Sequence, residues 1–229
     1  MNVAIIPARA GSKRIPHKNI KHFAGKPIIA YSIEQALASD AIDEVIVSTD
    51  SEKIAEIAQQ YGAKTPFLRP ASLAQDDTPT MPVISHALSQ LSLNHVIENV
   101  CLIYPAAPLI NSFDIDAAYS QWIATDKDYI FSVVSYASPI QRALYFNEKN
   151  ELAMLFESNL NKRSQELTHT FHDAGMFYWG RKDAYQEERV VYSTRASIYE
   201  LSRWKSQDID TPEDWDYAER LYKISVSSD

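Results

Sequence analysis

Val3-Ala4-Ile5-Ile6-Pro7-Ala8-Arg9-Ala10-Gly11-Ser12-Lys13-Arg14-Ile15-Pro16-His17-Lys18-Asn19 is the stretch from which the fold is read. Its first four residues form a short apolar run suited to a strand buried on both faces. A polar loop follows, in which Gly11 permits tight backbone geometry and a close approach of main-chain N–H groups to an anion. Arg9, Lys13 and Lys18 can neutralise a polyphosphate there, and Ser12 and Asn19 add polar contacts. Outward from this stretch, helix-like and strand-like segments alternate. Pro27 suits the first turn of a helix running to about Ala38, with Ile29, Ile33, Ala36 and Leu37 on one face. Val45 to Ser48 reads as a strand. Asp50 or Ser51 can cap the next helix, marked by Ile54, Ile57, Ala58 and Tyr61 and ended by Gly62. Helix (Met81 to Leu91), strand (Val100 to Tyr104), helix (Phe113 to Thr125) and strand (Tyr129 to Val134) continue the rhythm. Such alternation predicts an α/β fold with a mostly parallel sheet and helices on both faces. Ligands bind beyond the carboxyl ends of such strands, so the loop after the first strand is the expected site.

The charge distribution points to the same loop. The chain has 229 residues and a formal charge of −8, which argues against general binding of nucleic acid. Residues 1–33 nevertheless hold six basic residues and no acid, leaving sixteen basic against thirty acidic residues for the remainder. Near the other end Asp208, Asp210, Glu213, Asp214 and Asp216 fall within nine residues. An anion-binding segment and a cation-binding segment together hint at a metal-dependent phosphate enzyme. The loop is neither a Walker loop nor a Gly-x-Gly-x-x-Gly fingerprint, which weakens most NTPase and dehydrogenase readings. Cys101 is the only cysteine, so an intrachain disulfide framework and a cysteine-built metal cage are excluded. The apolar runs are too short to cross a bilayer and the N-terminus lacks the pattern of a signal peptide. A cytoplasmic protein without membrane partners is the expectation.

No repeat, low-complexity tract or linker divides the chain, so one domain over 1–229 is expected. From about Ser138 to Tyr178 the α/β rhythm breaks into short aromatic and polar runs. An arm or subdomain used in dimerisation is the expectation for residues 138–178.

Ile6-Pro-Ala-Arg-Ala-Gly-Ser-Lys-Arg-Ile-Pro-His-Lys-Asn19 closely resembles the signature of the cytidylyltransferases that activate nonulosonic acids. The resemblance continues through Gly25-Lys-Pro-Ile-Ile-Ala-Tyr-Ser32, Val47-Ser-Thr-Asp50, Leu68-Arg-Pro70 and Gln207-Asp-Ile-Asp-Thr-Pro-Glu-Asp214, in order and over essentially the whole chain. It implies a Rossmann-like nucleotidyltransferase fold and formation of a CMP-sugar from CTP and an acid sugar, with release of pyrophosphate. The sugar's anomeric hydroxyl would attack the α-phosphate in line with the departing pyrophosphate, chemistry that needs positioning and charge neutralisation. The resemblance places Arg9, Ser12 and Lys18 on the triphosphate with Lys13 nearby. It places the Ala8 backbone, Asn19, Arg69 and Thr80 around the cytidine.

Asp208 and Asp210 make physical sense as metal ligands, since residues two apart in an extended segment point to one side. They would form a hard oxygen site for one or two Mg²⁺ ions, which could bridge phosphates and help ionise the attacking hydroxyl. Asp214 reads differently: Thr211-Pro212-Glu213-Asp214 is a helix start, with a Thr cap, Pro in the first turn and acids near the positive dipole end.

The departures from the sialic acid branch fall in the sugar-facing half: Tyr104-Pro-Ala-Ala-Pro108, Pro139-Ile-Gln141-Arg142, the surroundings of Arg163, and Phe171-His-Asp-Ala-Gly175. A site rebuilt only at the sugar implies a different acid sugar. Together with the following Met-Phe-Tyr-Trp-Gly180, these runs resemble the pseudaminic acid branch. Tyr104, Phe177 and Tyr178 would suit the less hydroxylated end of that sugar, Gln141 is part of the rebuilt motif, and Arg142 or Arg163 would pair the carboxylate. Each aromatic could equally be core packing. His172 and Asp173 form a catalytic-looking pair, but the resemblance implies metal rather than a His base. The resemblance also implies a homodimer. CMP-N-acetylneuraminate and CMP-legionaminate synthesis are the alternative chemistries. More distant rivals are a glycosyltransferase, a CTP-dependent enzyme for an eight-carbon acid sugar, and a non-catalytic nucleotide-binding module.

Overall fold

The computed structural model describes residues 1–92 and 96–226. Among the described residues ten strands and six α-helices follow one another as β1 (Asn2–Pro7), β2 (His22–Phe23), β3 (Lys26–Pro27), α1 (Ile28–Leu37), β4 (Glu44–Ser48), α2 (Glu52–Gln60), α3 (Thr80–Leu91), β5 (Asn99–Ile103), α4 (Ser112–Ile123), β6 (Tyr129–Ser135), β7 (Leu144–Phe146), β8 (Leu152–Met154), β9 (Phe171–Arg181), α5 (Lys182–Gln186), β10 (Ala196–Glu200) and α6 (Pro212–Val226). Six of the strands form the main sheet, in the order β10-β6-β9-β5-β1-β4. β1 runs parallel to both β4 and β5, and β10 runs parallel to β6; β9 alone is antiparallel to its neighbours β5 and β6. The mostly parallel α/β sheet expected from the alternation is therefore present.

Alternation along β1 explains why both faces of the sheet are covered. Ala4 and Ile6 pack with Ile29 and Ile33 of α1, Ile54 of α2, and Ile115 and Trp122 of α4. Val3 and Ile5 point the other way, toward Ile84, Leu88 and Leu91 of α3 and Tyr185 of α5. The helices start where the sequence places them. Ser51, rather than Asp50, caps α2 by accepting from the Ile54 N–H (3.4 Å), and Asn111 caps α4 by accepting from the Asp114 N–H (2.9 Å). Gly62 ends the α2 turn with φ +94.

The chain runs from β1 to β4 on one side of β1, then to β5 on the other side. The carboxyl end of β1 is thus a topological switch point, where loops diverge and leave a crevice.

One boundary expected from sequence is corrected. Residues 171–178 are not part of an excursion: they belong to β9, whose Phe177 and Trp179 are fully buried. Trp179 donates through Nε1 to the Ile115 carbonyl (3.0 Å), locking β9 against α4. The excursion lies before this strand and carries the β7–β8 hairpin, a two-stranded sheet separate from the main one. The partners of β9 are distant in sequence, so local periodicity could not reveal its central place.

Asp128 at the head of β6 is buried and accepts from Arg189 and Arg195, which holds the connection to the edge strand β10 in place. The Arg195 hydrogen bond, then the nearby arginine charges, holds its carboxyl below the ordinary value of 3.8. A depressed carboxyl stabilises the fold above its ordinary value and loses that contribution as pH falls through the folded value. Asp128→Asn should therefore cost about 1–2 kcal/mol near neutral pH. In denaturation curves the difference from wild type should shrink as pH drops below 3.8.

Candidate active site

The crevice at the carboxyl ends of β5, β1 and β4 is a cleft of about 220 Å³. Arg9, Ser12, Lys13, Lys18, Asn19, Arg69, Thr80, Tyr104 and Asp210 all line it. Segments spread over some two hundred residues of sequence therefore meet in one place.

The loop after β1 is shaped by a few specific bonds. The Ala8 N–H donates to the Ser48 carbonyl (2.9 Å) and the Ala10 N–H to the Asp50 carboxylate (2.9 Å), so the loop starts as an extension of the sheet. His17, with φ 54, turns the chain in the left-handed region, and Lys18 and Asn19 follow in a short helical turn. Asn19 is buried and donates to the Arg9 carbonyl (3.0 Å), which cross-braces the loop. Among the described residues its Oδ1 is buried without a partner, as is Nε of Arg69, whose guanidinium donates to the Ser48 carbonyl (3.2 Å). Two orphaned polar groups on the wall of one cleft, one acceptor and one donor, suit the edge of a heterocyclic base. Gly11 has φ outside the left-handed region, and no protein atom lies within 4 Å of the place where a Cβ would sit. Ala8 is wholly buried and is not among the residues that line the cleft.

A third hydrophobic cluster closes the cleft from below. Ile15 of the loop, Phe23, Ile28 and Tyr31 pack with Ile209, Trp215 and Ala218 near the other end of the chain. This packing carries Asp208-Ile209-Asp210 to the basic loop, where Lys18 Nζ donates to the Ile209 carbonyl (2.6 Å). Asp210 then pairs with Arg14 (2.8 Å) and Lys18 (3.5 Å). Asp214 shares a capping box with Thr211 at the start of α6, as expected: its N–H donates to Thr211 Oγ1 (3.2 Å) and its carboxylate accepts from the Thr211 N–H (2.8 Å).

The two acids of the Asp-x-Asp pair do not line a single space. Asp210 lines the cleft, whereas Asp208 lines an adjoining cavity of about 360 Å³ with Asp173, His172, Arg203 and Ser206. They remain coupled: burial, then the charge of Asp210, raises the Asp208 carboxyl above its ordinary value. Two carboxylates fit Mg²⁺, which usually takes one or two protein carboxylates and completes its shell with phosphate oxygens and water. Among the described residues no group of three or more His, Cys, Asp or Glu forms a self-sufficient metal cage.

The residues assigned to the sugar divide. Tyr104 lines the cleft, its hydroxyl pushed up by burial. Tyr178 stands one layer behind, 5.9 Å from Tyr104 between ring centroids, and donates to Asp173. Phe177 faces the opposite side of the sheet, in the core with α1 and α4, because successive residues of β9 alternate faces. Gln141, Arg142 and Arg163 sit on the excursion before β9 and line neither cavity. Gln141 donates to the Thr168 carbonyl (2.8 Å) and Arg142 to the Lys162 carbonyl (2.9 Å). His172 and Asp173 are not a catalytic dyad: His172 Nδ1 lies 2.9 Å from the Asp173 main-chain oxygen, not its carboxylate. A break in the β6–β9 register, with Gly175 at φ +63, turns that carboxylate toward Tyr178 and Tyr192 instead.

Sequence reasoning missed Arg14, Thr78 and Asp76. Arg14 was visible in the basic segment but carried no role. Asp76 forms ion pairs with both Arg9 and Lys13, and these hold its carboxyl below the ordinary range, the Lys13 contact most of all. Its only signal was an acidic turn between Arg69 and Thr80. The site can hold a polyanion against Arg9, Lys13, Arg14 and Lys18, with a planar polar ligand near Asn19 and Arg69.

Fold and site together define a nucleotide-binding α/β protein built around a polyphosphate loop. The chain belongs to the cytidylyltransferase family: the family model described as "Cytidylyltransferase" matches residues 3–227. It is 44% identical over 228 residues to a pseudaminic acid cytidylyltransferase of Campylobacter jejuni, covering 99% of this chain and 98% of that one. It is 34% identical to a CMP-N,N'-diacetyllegionaminic acid synthase of Legionella pneumophila, covering 97% of each. A solved structure of CMP:2-keto-3-deoxy-manno-octonic acid synthetase complexed with CTP shares the fold, with a TM-score of 0.71 at 19% identity and coverage of 98% and 99%.

An incoming polyphosphate must displace Asp76 from Arg9 and Lys13. Inorganic tripolyphosphate should therefore bind Asp76→Asn about 3- to 10-fold more tightly than wild type in calorimetry. Equal affinities would mean that the carboxylate does not compete for the loop.

Proposed function

We propose that this protein transfers the cytidylyl group of CTP to the anomeric hydroxyl of pseudaminic acid, giving CMP-pseudaminic acid and pyrophosphate. The observation that carries the reading is the convergence of Arg9, Lys18, Asn19, Arg69, Thr80, Tyr104 and Asp210 on one cleft at the switch point of the sheet. The 44% identical relative named for pseudaminic acid supports the choice of sugar. Arg9, Ser12, Lys13 and Lys18 hold the triphosphate. Asn19 and Arg69, with Thr80 and the Ala8 backbone, enclose the cytidine. Tyr104 borders the acceptor, with Tyr178 behind it. The hydroxyl oxygen bonds to the α-phosphorus as the bond to the bridging oxygen of pyrophosphate breaks, and the hydroxyl proton is released. Lys18 sits where negative charge develops, and its bond to the Ile209 carbonyl orients it.

Asp208 and Asp210 hold Mg²⁺ in this reading. When bound, the ion supplies charge neutralisation and Lewis-acid polarisation at the phosphates. Asp210 would exchange its arginine and lysine partners for the cation, which leaves Arg14 and Lys18 to the triphosphate. Cys101, fully buried in β5 and unpaired, suits a reducing cytoplasm, and among the described residues no helix is long and apolar enough to cross a membrane.

A homodimer joined through the excursion before β9 completes the reading. The β7–β8 hairpin and the turns after it leave Leu144, Phe146, Leu152, Leu155 and Leu160 exposed, Phe146 and Leu160 at 68% and 70%. A cluster of that size on a small hairpin suits burial against a second copy. Gln141, Arg142 and Arg163 would then reach a site only across the interface.

Pyrophosphate release with CTP and Mg²⁺ should be fastest with pseudaminic acid when legionaminic and N-acetylneuraminic acids are run beside it. Preference for another of the three would keep the chemistry and discard the sugar. Silence with all three would favour a nucleotide-binding module. Asp210→Asn should lower kcat by about 100-fold or more and should also abolish the thermal stabilisation that Mg²⁺ gives wild type in the presence of CTP. Sedimentation should show a dimer for wild type and a monomer for Phe146→Glu with Leu152→Glu; an undisturbed dimer would move the interface elsewhere.

A further inference from the structure

The cavity beside the cleft is where an acceptor must sit if the proposed chemistry holds, and this inference rests on that reading. The two spaces adjoin at Asp208-Ile209-Asp210, with Asp210 on the nucleotide side and Asp208 on the other. On this reading the hydroxyl approaches a phosphate held by the basic loop across the Asp208 side, past Tyr104 at the edge of the cleft. Its molecule carries a carboxylate, and a carboxylate brought into a protein cavity needs a fixed cation or donor.

The charged groups on that cavity's walls are few. Asp173 is committed to the hydroxyls of Tyr178 and Tyr192 and to the Gly175 N–H (2.8 Å). Asp208 is a second carboxylate on the wall, beside Asp210 and within the influence of Lys18 and Arg14. Arg203 is the one guanidinium on the wall, and among the described residues it has neither an ion pair nor a hydrogen bond from its side chain. The basic groups of the neighbouring cleft differ: Arg9, Lys13, Arg14 and Lys18 each face a carboxylate.

The turn that carries Arg203 is anchored on three sides. The Leu201 N–H donates to the Val133 carbonyl (2.8 Å), Lys205 pairs with the buried Asp114 (2.8 Å), and Ser206 donates to the Ala174 carbonyl (3.2 Å). Arg203 is exposed on a braced turn beside this cavity, and its guanidinium, with no internal partner among the described residues, is open to a planar anion.

We propose that Arg203 binds the carboxylate of the acid sugar from within the same chain, and so selects 2-keto acid sugars over neutral sugars. This assigns the carboxylate to the C-terminal approach of the Asp-x-Asp segment rather than to Arg142 or Arg163 of the arm.

The test is steady-state kinetics with CTP, Mg²⁺ and the nonulosonic acid that wild type prefers. Arg203→Gln should raise the KM for the acid sugar by about 10- to 100-fold while leaving the KM for CTP within about twofold. Arg203→Lys should recover part of the loss, because charge is kept while the planar fork is lost. The carboxamide of the same sugar supplies a second arm: wild type should lose affinity for it, and Arg203→Gln should lose little more, as expected of a coupled pair. An unchanged sugar KM in Arg203→Gln overturns the inference, as does a KM effect confined to Arg142→Gln or Arg163→Gln. A wild type that turns over none of the three nonulosonic acids overturns the underlying reading together with this one.

Discussion

Ile209 in the hydrophobic cluster of Ile15, Phe23 and Trp215 is the contact on which the site depends. It joins a loop at the start of the chain to a segment near its end, and the Lys18 bond to the Ile209 carbonyl spans 191 residues. Without that packing the basic loop would remain an isolated positive patch and the Asp-x-Asp pair a solvated turn. Burying the isoleucine between the two acids turns an apolar driving force into placement of charge. It sets Asp210 within reach of Arg14 and Lys18 while Asp208 stays exposed, so that opposite charges concentrate at one edge of the cleft.

In the resulting site two internal carboxylates are shared among four cations: Asp76 pairs with Arg9 and Lys13, and Asp210 with Arg14 and Lys18. These pairs keep a dense cluster of cations tolerable in the absence of ligand, at the cost of competition when a triphosphate arrives. The same logic separates the two cavities: in the cleft Arg9, Lys13, Arg14 and Lys18 face carboxylates, and beyond Asp208 the Arg203 side chain has no partner among the described residues. Exchangeable pairs suit a substrate that brings its own cation, whereas an unpaired guanidinium suits one that brings only a carboxylate.

β9 gives the sheet its asymmetry. It runs antiparallel between β5 and β6 and is held by fully buried Phe177 and Trp179. Its pairing with β6 breaks next to Asp173, and this irregularity aims a carboxylate at Tyr178 and Tyr192. The same strand thus closes the core over most of its length and shapes the cavity beside the cleft at its start. Phe177, which the sequence made a sugar contact, belongs to the first task; Asp173 belongs to the second.

What was legible in the sequence followed local rules. The apolar run Val3–Ile6, the helical spacing of Ile54, Ile57 and Ala58, and the Thr211–Asp214 helix start each depend on backbone geometry over a few residues, and each forms as read. The basic loop and the Asp-x-Asp pair were also visible, because charge and spacing survive in one dimension. Only the tertiary structure decided that Asp76 closes on Arg9 and Lys13, that Asp208 and Asp210 line different cavities, that β9 enters the middle of the sheet, and that Arg203 shares a cavity with Asp208. Those outcomes turn on which distant apolar residues bury one another, and no local periodicity records that choice.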